Sequence, residues 1–178
     1  PTWLRRQRQM CIRDSPNPII FMEHKLIYKI KDNVELNDIP NESSMLGKAN
    51  LIKEGNDITI VAYSNMVNVV KEAIAAEELQ DCSIELIDLQ TVSPIDYDTI
   101  KNSLKKTKRL LVCQEAPSNS SVGTTVISKI VESDLFHELE VAPKLVSGLH
   151  SPMPSAKHLE LNVIPQAEDI TNAIKSML

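Results

Sequence analysis

Glycine is scarce in this chain of 178 residues: there are four, Gly47, Gly55, Gly123 and Gly148. A Rossmann-type nucleotide site needs a glycine-rich turn after its first strand, because the backbone must approach a pyrophosphate closely. Here that turn is Ser64-Asn65-Met66, so neither this fingerprint nor a phosphate-binding loop is present. Cysteine is rare too. Cys11, Cys82 and Cys113 are odd in number and widely spaced, which argues against a disulfide framework and a zinc site and makes a reducing interior the default setting. No apolar run approaches eighteen residues, the minimum for a membrane-spanning helix. A hydrolase elbow of the form G-x-S-x-G is missing. The four histidines, His24, His137, His150 and His158, have no second His or Cys three or four residues away; His158 and Glu160 alone make a weak metal pair. Net charge is −5, so the basic face of a nucleic-acid binder is not expected.

What is present is an ordinary globular composition, 42% hydrophobic and 24% charged, in a length that suits one domain or one domain with part of another. The charge is unevenly placed. Residues 1–15 hold Arg5, Arg6, Arg8 and Arg13 against Asp14, a local +3 that leaves −8 for the remainder. This head has no sustained apolar face and no hydrophobic region of a secretory signal. It reads as foreign to the fold, with a native helix end as the rival reading.

From residue 17 onward the chain alternates strand and helix. NPIIFMEH (17–24) is a short apolar run that reads as a buried strand. A polar connection follows to Ser44, with Pro40 marking an exposed loop; residues 31–47 read as an interdomain linker. Two strands are predicted at about 48–53 and 57–63, and Gly55-Asn56 between them signals a tight antiparallel hairpin. A helix capped by Ser64 or Asn65 should run to about Leu79, with Met66, Val69, Val70, Ala73 and Ile74 inward. SIELIDLQ (83–90) is the next strand, and Asp96 caps a helix over 96–105 whose cationic end, Lys105, Lys106 and Lys108, suits the helix dipole. RLLVCQE (109–115) is apolar enough for a central parallel strand. The stretch 118–139 reads as a capped helix with Val122, Val126, Ile130 and Val131 inward. A strand at 142–148, a proline-bearing loop at 150–165 and a helix at 166–177 complete the chain. This order predicts an α/β fold with a mostly parallel sheet and helices on both faces.

The candidate chemistry is sparse. Cys113 and Glu115 close a central strand, where open α/β sheets place ligands. Cys113 reads as a small buried hydrophobe, since no basic neighbour is evident to activate it. Glu115, just before Pro117 and a helix start, reads as a residue that orients a loop or lines an interface. Glu23 and His24 could offer acid–base work, but adjacent strand residues face opposite ways, so a strand-end charge cluster is the simpler reading. The stiff loop His150-Ser151-Pro152-Met153-Pro154 suits a docking surface or a structural corner equally, with exposure of Met153 and Leu159 favouring docking.

Several stretches together resemble the beta subunit of the thiamine-diphosphate-dependent 2-oxo-acid dehydrogenases, over about residues 16–178. NPIIFMEHKLIY, with Glu23, is similar to the close of that subunit's pyrimidine-binding domain, here residues 16–30. LGKANLIKEGNDITIVAYSNMV is similar to the entry into its C-terminal, transketolase-like domain, here 48–178. IELIDLQTVSPID resembles the D-L-x-T-x-x-P-x-D signature through Asp88, Leu89, Thr91, Pro94 and Asp96. CQEAP with Glu115, Gly123 and the MPSAKHLE close complete the match, and that close resembles the pyruvate branch most. The resemblance implies a three-layer α/β/α sandwich on a five-stranded mixed sheet with one antiparallel strand. It implies decarboxylation of a 2-oxo acid on thiamine diphosphate (with magnesium) and acyl transfer to the lipoyl arm of a core acyltransferase. The implied partners are an alpha subunit, a second beta subunit in a heterotetramer, and the acyltransferase's subunit-binding domain, with no nucleic acid or membrane. The implied compartment is cytoplasmic, or the mitochondrial matrix in a eukaryote. Most of the pyrimidine-binding domain has no counterpart here, and with it the glutamate and histidine that work on the cofactor. No catalytic, cofactor-binding or metal residue carries over, and these residues alone are expected to be inert and cofactor-free. His150, Met153, Leu159 and Leu178 are the candidates for subunit or acyltransferase docking. A stand-alone, non-catalytic interaction domain of the same fold is the alternative.

Overall fold

The computed structural model describes residues 24–30 and 47–178. Five strands form one sheet: β1 (Asn50–Lys53), β2 (Ile58–Ala62), β3 (Ile84–Asp88), β4 (Leu110–Pro117) and β5 (Lys144–Gly148), in the order β1-β3-β2-β4-β5. β2, β3, β4 and β5 run parallel, and β1 is the antiparallel exception. The helices are α1 (Met66–Ile74), α2 (Tyr97–Thr107), α3 (Val122–Val131), the single turn α4 (Lys157–Glu160) and α5 (Ala167–Lys175).

The period-two alternation of the strands builds two cores. Ile58, Ile60, Ala62, Ile84, Leu86, Leu111 and Cys113 pack with Met66, Val67, Val70 and Ala73 of α1 and Ile170 and Ile174 of α5. On the opposite face Val61, Ile87, Leu110 and Val112 pack with Ile100 and Leu104 of α2 and Val126 and Ile130 of α3. Three layers result, as anticipated. β2 is buried along its whole length, as a central parallel strand should be.

The hairpin predicted between the first two strands does not form. β1 pairs with β3, with Asn50 opposite Asp88 and Leu51 opposite Ile87. Gly55 is needed for close approach. A Cβ there would lie 2.2 Å from the Ile84 carbonyl carbon and 2.4 Å from the Glu85 nitrogen. The chain therefore passes tightly beneath the start of β3, where Asn56 and Asp57 donate to the Ser83 carbonyl, and β2 begins on that strand's other side. The helix expected to reach Leu79 ends at Ile74 and is followed by a separate 3-10 turn, Glu77–Leu79. Val131, predicted inward, is 40% exposed. Of the sequence's other expectations, the head (1–15), the strand run 17–23 with Glu23, and residues 31–46 of the linker lie outside the described residues.

Two buried polar elements bind helices to the sheet. Glu85 on β3 faces α2, where it accepts from the Lys106 ammonium and from the Gly55 N–H. Burial would raise its pKa, but these donors and the charge of Lys106 outweigh that cost and hold the carboxyl below its usual value. Thr59 on β2 shares 2.6 Å hydrogen bonds with Ser103 and Thr107 of α2, so its hydroxyl is satisfied within the core.

Candidate functional site

The candidate residues collect along the carboxyl edge of the sheet. β4 ends there with Cys113, Gln114 and Glu115 pointing to alternating faces. Cys113 points into the apolar core beside α1 and is fully buried. Desolvation pushes its thiol far above the ordinary range, so a reactive thiolate is disfavoured.

Gln114, which the sequence analysis passed over, organises this edge. It is fully buried. Its Nε2 donates to the carbonyls of Ala116 at 2.9 Å and Pro117 at 3.1 Å, and its Oε1 accepts from the Gly123 N–H at 2.7 Å. Gly123 must be glycine for this contact, since a Cβ would lie 2.6 Å from both Gln114 Oε1 and a Leu145 methyl carbon. Ser121 and Thr124 complete the helix start with a reciprocal capping box. A glutamine three residues before a proline and nine before a glycine was the available signal, although its partners are backbone groups that sequence does not display.

Glu115 faces the other way and gathers separate segments. His24 Nε2 lies 3.2 Å from Glu115 Oε2. Asn65 Nδ2 donates to Glu115 Oε1 at 3.4 Å, and Asn68 donates to Asn65 Oδ1. Asn65 occupies the N-cap position of α1, as predicted, but makes no side-chain cap bond there. The phenol of Tyr63 titrates above its usual value, first through burial and then through the negative charge of Glu115. His24 Nδ1 accepts from the Leu26 N–H at 3.3 Å, so both imidazole nitrogens are engaged. A general base needs a free lone pair aimed at a substrate proton, whereas this arrangement ties chain segments together.

The D-L-x-T-x-x-P-x-D residues also fasten chain. Thr91 Oγ1 accepts from the Gly47 N–H at 3.2 Å. Asp96 caps α2 by accepting from the Thr99 N–H at 3.2 Å, while its other oxygen accepts from the Ala49 N–H at 3.1 Å. Burial works against ionisation of Asp96, but these donors prevail and lower its pKa. Pro94, preceded by a cis peptide bond, packs against Gly47. Asp88 accepts from the Gln90 N–H, yet burial dominates and raises its pKa. Among the described residues no group of three or more His, Cys, Asp or Glu side chains is arranged to hold a metal ion. The carboxylates at this edge are engaged by backbone, amide, hydroxyl and imidazole donors, so the described residues do not form a cradle for a diphosphate and its magnesium.

Past β5 the chain forms the loop 149–166. Leu149 and Met153 are 59% and 54% exposed, and His150, Leu159 and Leu161 are exposed beside them in the chain. The loop is built: Leu149 donates to the Val163 carbonyl, and α4 folds on the Ala156 carbonyl. Leu178 is exposed too but sits at the other end of the sheet. α5 runs back from the loop, and Lys144 at the start of β5 donates to Ser176. The four docking candidates therefore divide into a loop group, His150, Met153 and Leu159, and the separate Leu178.

Comparison with known proteins gives a consistent result. Residues 47–170 match the family model described as transketolase, C-terminal domain. The chain is 38% identical over 171 residues to the pyruvate dehydrogenase E1 component subunit beta of Rickettsia bellii (strain RML369-C), covering 94% of this chain and 50% of that protein. It is 36% identical over 167 residues to the same-named subunit of Acholeplasma laidlawii, covering 92% and 49%. It is 35% identical over 166 residues to the mitochondrial subunit beta-1 of Oryza sativa subsp. japonica, covering 93% and 44%. This chain thus spans about half the length of the curated relatives it matches. Among solved structures, a split gene transketolase described as an inactive beta4 tetramer superposes with a TM-score of 0.65 at 23% identity, over 83% of this chain and 46% of that one. At that identity the likeness concerns the fold, the same three-layer sandwich.

Proposed function

Because this chain belongs to the transketolase C-terminal domain family, we propose that it serves as the assembly and docking part of the beta subunit of a pyruvate-dehydrogenase-type enzyme. The observation that carries this reading is identity of 35–38% to such beta subunits across more than nine-tenths of the chain. The whole enzyme decarboxylates a 2-oxo acid and acylates the lipoyl group of a core acyltransferase. Thiamine diphosphate with magnesium supplies the electron sink for that step, and it is held outside the residues described here. The partners are an alpha subunit, a second beta subunit and the acyltransferase's subunit-binding domain. The compartment is cytoplasmic, or the matrix in a mitochondrial setting.

The loop group supports the docking role. Leu149, Met153, Leu159 and Leu161 expose apolar side chains on a hydrogen-bonded loop, and apolar side chains pre-ordered in this way lose little entropy on binding. The test is titration calorimetry of the beta chain, assembled with its alpha subunit, against the acyltransferase's subunit-binding domain. Met153→Ser with Leu159→Ser should weaken binding by about tenfold or more, as for loss of two apolar anchors. Unchanged affinity in that pair would remove the loop from the docking surface, and Leu178→Ser then tests the opposite end.

A further inference from the structure

Residues 25–29 form a 3-10 turn in which no side chain is buried. Leu26, Tyr28 and Ile30 all lie largely in solvent. Ile27 is half-buried, and among the described residues the polar side-chain contact that joins this segment to the sheet is the one at Glu115. That contact is made by His24, whose two nitrogens reach in opposite directions. Nδ1 receives the Leu26 N–H and caps the turn, while Nε2 meets the Glu115 carboxylate across 91 positions of sequence.

We propose that His24, held as its Nε2–H tautomer, is the tether that fastens segment 24–30 to the carboxyl edge of the sheet. The hydrogen-bond geometry fixes the tautomer. A nitrogen that accepts from a backbone N–H carries no proton, and a carboxylate only accepts, so the imidazole proton sits on Nε2. Glu115 is prepared for this donor, since its other oxygen is occupied by the Asn65 amide from the start of α1. The charged group facing the ring from the sheet is Glu115; Asn65 and the Tyr63 phenol are the neutral groups around that carboxylate, and Lys25 follows on the segment itself. One carboxylate thereby joins three parts of the chain: β4, the start of α1 and the incoming segment.

Two substitutions separate the two bonds. His24→Asn places a carbonyl oxygen where Nδ1 was, keeping the turn cap but losing the reach to Glu115. His24→Gln places an amide N–H where Nε2 was, keeping the link to Glu115 but losing the cap. The readout is trypsin cleavage after Lys25 and Lys29, followed by mass spectrometry, together with amide exchange over residues 26–30. His24→Asn and Glu115→Ala should speed cleavage roughly five- to tenfold, the net worth of one ordinary, partly exposed hydrogen bond. His24→Gln should cleave within about twofold of the parent while the Leu26 amide alone loses protection. Nitrogen-15 NMR of the imidazole in the unmodified chain should report a protonated Nε2 and a bare Nδ1. The urea midpoint of the domain should stay in place for all three variants, which separates release of the segment from failure to fold. A ring protonated on Nδ1, or His24→Asn and His24→Gln behaving alike, overturns the proposal.

Discussion

Gln114→Met tests whether the close of β4 is organised by buried hydrogen bonds. Methionine matches glutamine closely in length and volume, so the cavity and strain contributions stay small. What is lost is three hydrogen bonds, to the carbonyls of Ala116 and Pro117 and from the Gly123 N–H. Each neutral bond contributes about 1 kcal/mol net, which sets an upper figure near 3 kcal/mol. Ala116 is exposed, so its carbonyl regains water after a small shift. The Gly123 N–H lies in the buried first turn of α3, where no such recovery is open. The expected loss is therefore about 2–3 kcal/mol. Urea unfolding followed by circular dichroism measures it, as a midpoint lower by about 1 M or more at an unchanged slope. A loss under about 1 kcal/mol would refute the reasoning, because it would mean that the turn 116–123 holds its shape without the glutamine. Gln114→Glu is the sharper companion. Its carboxylate would turn an acceptor toward two carbonyls, so its defect should exceed that of methionine at neutral pH and shrink as acid protonates it.

Gly55→Ala should cost about 2–4 kcal/mol, since the new methyl group meets backbone atoms of Ile84 and Glu85 and its relief breaks the Gly55–Glu85 bond; calorimetric unfolding at one pH reads it, and a midpoint unchanged from the parent would show that the loop has room to move. Glu85 and Asp88 should act on acid stability with opposite signs. The carboxyl of Glu85 is held below the ordinary glutamate value of 4.5, so its contribution is present above that pH and is lost as pH falls through the lower folded value. Glu85→Gln should therefore flatten the acid limb of a stability–pH curve. Asp88 is raised above 3.8, so its ionised form weighs against folding at neutral pH and protonation relieves that. Asp88→Asn, which keeps an acceptor for the Gln90 N–H, should stabilise the neutral-pH protein, and a loss of stability there would contradict the desolvation account.

The layered fold was legible because its signals are local. Apolar period-two runs separated by period-3.6 runs predict strands and helices whatever their partners, and Asp96 announces the start of α2 within four residues. Pairing was legible only where the rule is local as well. Gly55-Asn56 between two strands looks like a hairpin turn, but the reason for that glycine is the backbone of Ile84, almost thirty residues away. The end of α1 was hidden for a related reason. Ala75 to Glu78 are good helix formers and give no stop signal. In an unbroken helix, however, Leu79 would stand about 240° around from Ala73, away from the core. Breaking the helix turns Leu79 inward, where it is 2% exposed. Val131 fails in the same way, since it sits about 100° around α3 from the buried Ile130. At the candidate site Glu115 was recognisable as a placed carboxylate and His24 as a strand-end charge. Their pairing was not recognisable, because nothing in the intervening sequence states where the segment 24–30 lands.

The antiparallel first strand has a physical cause at that same edge. Thr91 and Asp96 hold the backbone of Gly47 and Ala49 beside the end of β3, and His24 meets Glu115 at the end of β4. The chain is thus delivered to the sheet where the parallel strands finish. A strand begun there must run the other way, and Asn50 at the start of β1 indeed faces Asp88 at the end of β3. It reaches the opposite edge at Gly55, the one place where it must slip beneath β3 to start β2, and glycine alone has the room. Open α/β sheets generally keep their carboxyl edge for a ligand cleft. Here the polar groups of that edge are committed to receiving the incoming chain, and the exposed loop after Gly148 departs from the same edge.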